Sequence, residues 1–224
     1  MTAFIFDLDG TLVDTVYQHV IAWHAALSGA GFEMPMWRIH RKIGMSGTLL
    51  MSALELELGH TIDEQTAKRL ESAHTEEMKR LSGSVRVFPG VRQLFDRLNE
   101  ARVPYAIASS GNMKDVGPFL EMLRLDSGVP VVTQQDAPNA KPDPQLFLEA
   151  AKRLEVDASG AVVVGDSVWD MLAARRAHAL GVGLLTGGYA ESEMTAAGAF
   201  RVYADPEELR RRLHETGVNV KEQQ

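Results

Sequence analysis

Phe4-Ile5-Phe6-Asp7-Leu8-Asp9-Gly10-Thr11-Leu12-Val13-Asp14 is the stretch from which the rest of this chain can be read. Its apolar start, Ala3 to Phe6, predicts a buried strand close to the N-terminus. Two carboxylates two residues apart come next, and then Gly10, which lets the chain turn sharply and bring backbone N–H groups close to an anion. Like charges this close resist ionising together unless a cation or a shared proton relieves them. Two chemistries meet that condition: a hard metal ion between them, or one carboxylate as nucleophile and the other as acid/base. An ordinary Asp-Gly turn after a strand is the plainer alternative.

Outward from that stretch, residues 15 to about 84 read as all-helical. Asp14 or Thr15 can cap a helix that carries Val16, Val20, Trp23, Ala26 and Leu27 at helical spacing, and Gly29 and Gly31 end it. A short helix follows Pro35 and stops at Gly44. Ser46 can cap a third, with Leu49, Leu50, Ala53 and Leu54 on one face and Gly59 past its end. Thr61-Ile62-Asp63-Glu64 predicts a capping box that opens a long helix to about Leu81. From Val85 the texture changes to alternating elements. Strands are expected at 104–108, 131–133, 161–164, 182–185 and near 200–202, and a last helix is capped by Asp205 with Pro206 at its first position. Alternation of this kind implies an α/β fold, a Rossmann-like, doubly wound parallel sheet. The expected division is a catalytic core of residues 1–14 and 85–224, with an inserted all-helical cap, 15–84, between the first two core strands. In such sheets ligands bind beyond the carboxyl ends of the strands.

Composition narrows the function. The chain has 224 residues, 45% hydrophobic and 24% charged, which suits an ordinary soluble globular protein with one sizeable core or a core and a smaller insert. A net charge of −7 does not indicate a phosphate-tracking surface, so no nucleic-acid partner and no membrane partner is expected. The absence of cysteine removes disulfides and thiolate metal sites. No apolar run approaches the ~20 residues of a membrane span. Asp7 comes too early for a secretory leader, so a cytoplasmic location is expected, as a monomer or weak homodimer.

Three further clusters fall at expected strand ends. Ser109 and Ser110, followed by Gly111 and Asn112, combine hydroxyls with backbone N–H groups at a helix start, an anion site or a plain N-cap. Lys141, in Asn139-Ala140-Lys141-Pro142-Asp143-Pro144, is a compact charge suited to a phosphate and to holding an aspartate ionised. Gly165-Asp166-Ser167-Val168-Trp169-Asp170 follows the most apolar strand, with Asp170 one helical turn beyond Asp166. Acidic residues also favour a helix N-terminus for its dipole.

In this order the four clusters resemble the four motifs of the haloacid dehalogenase superfamily, helical-cap subfamily, most of whose members are phosphatases. The resemblance implies that Asp7 attacks phosphorus and Asp9 shuttles the proton, with Ser109 and Lys141 completing the catalytic set. It further implies Mg²⁺ held by Asp7, Asp166 and the carbonyl of Asp9, with Asp170 acting through water. Gly10, Thr11, Ser110, Gly111 and Asn112 would hold the phosphate of a small phosphorylated metabolite. Asp-Thr-x-x-x-His-x-x-x-Trp, with His19 and Trp23, is similar to the start of the cap in beta-phosphoglucomutases and related phosphatases. Arg41, Lys42 and the loop 44–47 occupy the cap position that faces substrate in those relatives. Against a mutase, Gly165 stands where those enzymes carry an acidic residue, and Gly187-Gly188-Tyr189 looks more like the phosphoglycolate-phosphatase branch. The implied activity is a Mg²⁺-dependent, phosphoglycolate-phosphatase-like hydrolysis. A beta-phosphoglucomutase-like phosphomutase is the alternative, and a receiver-like signalling module is disfavoured by the inserted cap.

Overall fold

The structure, a computed structural model, describes residues 2–218 except 46, 60, 138 and 140, together with the backbone but not the side chains of 47 and 48. The chain opens with β1 (Ala3–Phe6) and β2 (Val13–Asp14), then four helices: α1 (Val16–Gly29), α2 (Met36–His40), α3 (Gly47–Leu58) and α4 (Glu64–Leu81). Next come β3 (Arg86–Val87), α5 (Val91–Glu100), β4 (Tyr105–Ala108), α6 (Met113–Leu123), β5 (Val131–Val132) and α7 (Gln145–Arg153). The last part holds β6 (Ala161–Gly165), α8 (Val168–Arg176), β7 (Leu180–Leu184), α9 (Glu191–Ala197), β8 (Ala199–Tyr203) and α10 (Pro206–Arg211).

Six of the strands form one parallel sheet in the order β5-β4-β1-β6-β7-β8. β1 is central because its side chains are apolar on both faces, as a parallel strand covered by helices on both sides requires. Phe4 and Phe6 join one core with Leu94, Phe95 and Leu98 of α5, while Ile5 joins the other with Phe147 and Ala150 of α7. Burying each of these large side chains is worth roughly 1.5–3 kcal/mol. From β1 the chain builds outward to β4 and β5, then returns to lay β6 on the opposite side of β1. That reversal opens a crevice at the carboxyl ends of β1 and β6, the place where such sheets bind ligands.

The four helices between β2 and β3 have a core of their own, with Val20, Trp23 and Leu27 of α1 against Leu54 of α3 and Leu70 of α4. β2 and β3 pair antiparallel, Val13 opposite Val87, where the chain leaves the sheet and returns to it. No helix among the described residues is long and apolar enough to cross a membrane.

Several local expectations are corrected. The N-cap of α4 is Asp63, whose carboxylate accepts from the Thr66 N–H at 2.7 Å, and the helix starts two residues later than a cap at Thr61 would place it. Thr15 stands at the N-cap of α1 but does not cap with its side chain, because its hydroxyl is spent on Asp9. β7 begins at Leu180, and Leu185 falls in the turn after it. The expected cap Ser46 lies outside the described residues.

Candidate active site

Asp7 directly follows β1, and its N–H extends the sheet by bonding the Val164 carbonyl at 2.9 Å. Beyond it the backbone closes one tight turn: Leu12 N–H reaches the Leu8 carbonyl at 2.9 Å, and Gly10 N–H reaches the Val13 carbonyl at 2.8 Å. Leu8 and Leu12 are fully buried and hold this turn in the core. Gly10 has φ +78°, and a Cβ there would lie 2.3 Å from Asp166 Oδ2. Glycine is therefore needed both for the backbone and for the close approach of the turn to a carboxylate.

Lys141 ties the floor of the crevice together. Its Nζ lies 2.8 Å from Asp7 Oδ1 and 2.8 Å from Asp170 Oδ1, and all three residues are buried. Asp170 is also the third residue of α8, in a capping box with Ser167. Its Oδ2 accepts from the Ser167 N–H at 3.1 Å and the Ser167 hydroxyl at 2.5 Å. Gly165 is a glycine for space, since a Cβ there would meet Asp170 at 2.4 Å. Asp166, at the end of β6, accepts from the Thr11 hydroxyl at 2.8 Å. Thr11 thus serves a carboxylate and does not line the cavity.

Three buried carboxylates face one ammonium here, and the electrostatics show the imbalance. Burial pushes the Asp7 carboxyl up to about 7, with Lys141 opposing and the charges of Asp170 and Asp9 adding. Burial, then Asp170 and Asp7, also lift Asp166 well above the usual carboxylate range. Burial works against the charge of Lys141, but Asp170 and Asp7 outweigh it and hold the ammonium protonated. Asp7, Asp166 and Asp170 each offer an oxygen within 4.8 Å of the others. An all-oxygen donor set carrying excess negative charge fits a hard divalent cation such as Mg²⁺, which would return Asp7 and Asp166 to the ionised form.

Asp9 differs from its neighbour two residues back. Burial pushes it up, but the hydrogen bond and charge of His19 and the Thr15 hydroxyl outweigh that and hold its carboxyl below the usual range. His19 Nε2 is 3.3 Å and Thr15 Oγ1 2.9 Å from Asp9 Oδ1. On its other oxygen, Asp9 receives the Ser109 hydroxyl at 3.4 Å. His19 in turn places Nδ1 3.0 Å from His74 Nε2, and His74 stacks on Trp23 with ring centroids 4.3 Å apart. Two helices of the inserted segment, α1 and α4, therefore reach the second carboxylate through one histidine.

Above this floor is a cavity of about 530 Å³. Asp7, Asp9, Ser110, Gly111, Asn112 and Lys141 line it from the sheet side, and His19, Trp23 and Lys42 from the helical side. The Ser110 Oγ is buried there without a partner among the described residues. Asn112 caps α6 by accepting from the Asp115 N–H at 3.1 Å. Gly10 stands below the cavity, its carbonyl accepting from the Thr186 hydroxyl at 2.5 Å.

Arg41 does not reach the cavity wall. Its guanidinium pairs with Glu193 of α9 and lies 4.3 Å from the centroid of the Tyr189 ring, while its carbonyl accepts from Trp169 Nε1 and the Tyr189 hydroxyl, both at 3.2 Å. Lys42 does reach the wall, with its ammonium paired to Glu57. Thr15, His74, Trp169, Tyr189 and Gly187 were not identified as site residues from sequence. Gly187 has a visible signal in its Gly-Gly-Tyr string, since a Cβ there would lie 2.2 Å from Asp166 Oδ2. His74 has none, being one of seven scattered histidines.

Comparison with known proteins identifies the family and the fold. Residues 4–182 match the family described as Haloacid dehalogenase-like hydrolase. The phosphoglycolate phosphatase of Caulobacter vibrioides is 30% identical over 87% of this chain and 83% of its own length. Among solved structures, a hydrolase from Pseudomonas syringae superposes with TM-score 0.93 at 46% identity, covering 96% of this chain and 99% of that one. A beta-phosphoglucomutase from Clostridium difficile shares the fold with TM-score 0.83 at 21% identity, covering 97% and 96%.

Proposed function

The chain belongs to the haloacid dehalogenase-like hydrolases, and from that premise we propose that it is a phosphatase of a small phosphorylated metabolite, working through an aspartyl phosphate on Asp7. The observation that carries this reading is the pairing at the end of β1. Asp7 is held by Lys141 at the cavity floor, and Asp9, two residues on, has a proton-exchanging partner of its own.

In the first half-reaction a carboxylate oxygen of Asp7 forms a bond to phosphorus while the bond from phosphorus to the leaving oxygen breaks. Asp9 supplies the proton that the leaving oxygen takes. For that step the proton must lie on Asp9, and His19 Nε2, 3.3 Å away, can exchange one with it. In the second half-reaction a water oxygen bonds to phosphorus, Asp9 accepts the water's proton, and the Asp7–phosphorus bond breaks to release inorganic phosphate. The ionised Asp9 favoured by His19 and Thr15 is the form this second step requires. In this reading Lys141 and the 109–112 loop balance charge on the phosphoryl oxygens, and Ser109, whose hydroxyl donates to Asp9, takes part from beneath the cavity. Mg²⁺ would be held by Asp7, Asp166 and the Asp9 carbonyl, and when bound it neutralises phosphoryl charge. Asp170 lies behind Lys141 as its anchor. The helical segment excludes bulk water and contacts the leaving group. The enzyme acts in the cytoplasm as a monomer or weak homodimer.

Hydrolysis of para-nitrophenyl phosphate tests this. Chelation should abolish turnover and Mg²⁺ should restore it, while Asp7→Asn should reduce kcat by roughly 10⁴-fold or more and yield no phosphoenzyme. Near-normal turnover by Asp7→Asn would replace the covalent route with direct attack by water. The resemblance carried by His19 and Trp23 keeps a beta-phosphoglucomutase-like phosphomutase as the second reading. Rapid conversion of beta-glucose 1-phosphate to glucose 6-phosphate with little phosphate release would favour that alternative.

A further inference from the structure

Opposite the catalytic carboxylates, the wall contributed by the helical segment is charge-balanced. Lys42, only 8% exposed, is the most buried cation of that wall, and its ammonium is paired with Glu57 Oε1. The second oxygen of Glu57 lies 3.6 Å from Arg38 Nη1, so this carboxylate faces two cations from behind the cavity wall. Toward the mouth, Lys68 and Lys79 are also committed, each 2.6 Å from a glutamate of its own helix. Among the described residues the rest of this wall carries no further lysine or arginine: Ile43, Met45, Leu50 and Trp23 are apolar, and Glu71 and Glu76 are acidic.

This pattern discriminates between leaving groups. A carboxylate entering such a wall meets an ammonium whose charge Glu57 already balances, so the attraction it gains from Lys42 is largely cancelled by repulsion from Glu57. A hydroxyl meets no such repulsion. An ammonium has three donors, only one of them committed to Glu57, and the others can serve neutral oxygens without breaking the pair. A cavity of about 530 Å³ also has room for a chain of several hydroxylated carbons.

We infer that Glu57 is a specificity-determining residue: by neutralising Lys42 it makes the site take phosphate monoesters of a neutral polyhydroxylated alcohol, a sugar or polyol, over phosphorylated carboxylic acids. The inference rests on the phosphatase reading above and names its substrate class.

The test measures kcat/KM of the Mg²⁺-loaded enzyme for sorbitol 6-phosphate, phosphoglycolate and para-nitrophenyl phosphate, in wild type, Glu57→Gln and the double variant Glu57→Gln/Lys42→Gln. Wild type should prefer sorbitol 6-phosphate to phosphoglycolate by at least about tenfold, the size of one charged hydrogen bond. Glu57→Gln should raise kcat/KM for phosphoglycolate about tenfold relative to sorbitol 6-phosphate, and Lys42→Gln in that background should cancel the gain. Wild type using phosphoglycolate as well as or better than sorbitol 6-phosphate overturns the inference without need of any variant. So does an unchanged ratio in a folded Glu57→Gln protein. If para-nitrophenyl phosphate turns over in either case, the phosphatase reading stands and the substrate class alone is wrong. If none of the three esters is hydrolysed, the phosphatase reading fails and the inference falls with it.

Discussion

The floor and the roof of the cavity are built on different principles. On the floor, Asp7, Lys141, Asp170, Ser167, Thr11 and Asp166 are buried and hold one another through bonds that water does not reach. On the roof side, Lys42 is buried at the cavity wall and paired with Glu57, while the part-exposed Arg41–Glu193 pair lies outside the wall and joins the helical segment to the core. A buried network is costly to disturb because each remaining group keeps its desolvation penalty. The more exposed Arg41–Glu193 pair is worth about 0–1 kcal/mol and can rearrange at little cost. The difference separates two kinds of wall: the floor holds its groups in fixed relation, and the helical side carries pairs that can change with less disturbance to the rest.

The sharpest way to break this comparison is to remove the centre of the floor. Lys141→Met leaves Asp7 and Asp170 buried without their shared cation, and is expected to cost about 3–5 kcal/mol of stability in metal-free protein as well as activity. Urea unfolding checks the first and hydrolysis of para-nitrophenyl phosphate the second. A variant as stable as wild type would show that the floor does not depend on this pair.

Between floor and roof stands His74. Burial first, and the charge of His19 second, hold its imidazole down to about 3, against 6.5 for an ordinary histidine. With the folded value depressed, the neutral side chain contributes stability that is complete above pH 6.5 and lost as pH falls from there toward 3. Asp7 and Asp166 have raised folded values and titrate in the opposite sense over the same range, so the useful quantity is a difference. His74→Gln should lose less stability on acidification than wild type between pH 6.5 and 4. Parallel curves for the two proteins would sink the assignment.

The smallest effect is expected on the roof. Arg41→Ala removes the pair with Glu193 and the contact with Tyr189, and kcat/KM should change by no more than about fivefold, consistent with an exposed pair. Thermal stability should shift by a degree or two. A loss comparable with that of a floor residue would mean that Arg41 contacts substrate or the closing transition and that the two walls are not so different.

Part of the site was legible because its residues directly follow strands that announce themselves. The apolar runs before Asp7, Ser109 and Asp166 end where the polar groups begin, and a parallel sheet brings all such ends to one edge. Lys141 could be read from its place before a helix in a proline-rich loop. Thr11, Thr15 and the roof could not be read this way. Thr11 and Thr15 are ordinary turn and cap residues in one dimension, and only the tight turn around Gly10 turns their hydroxyls toward Asp166 and Asp9. Arg41 and Lys42 are adjacent and chemically alike, yet one points to α9 and the other lines the cavity.

From sequence alone came the α/β class, the central apolar strand, the helical stretch after it and the carboxylates at the strand ends. These depend on periodicity and on neighbours within a few residues, which a single chain displays directly. Tertiary structure decided everything that depends on which distant groups meet. Asp170 is Lys141's anchor, His19 and His74 join to support Asp9, and Glu57 pairs with Lys42. The physical reason is that charge and proton position are set by burial and by partners a few ångströms away in space, and those partners can lie 155 residues or more away in the chain.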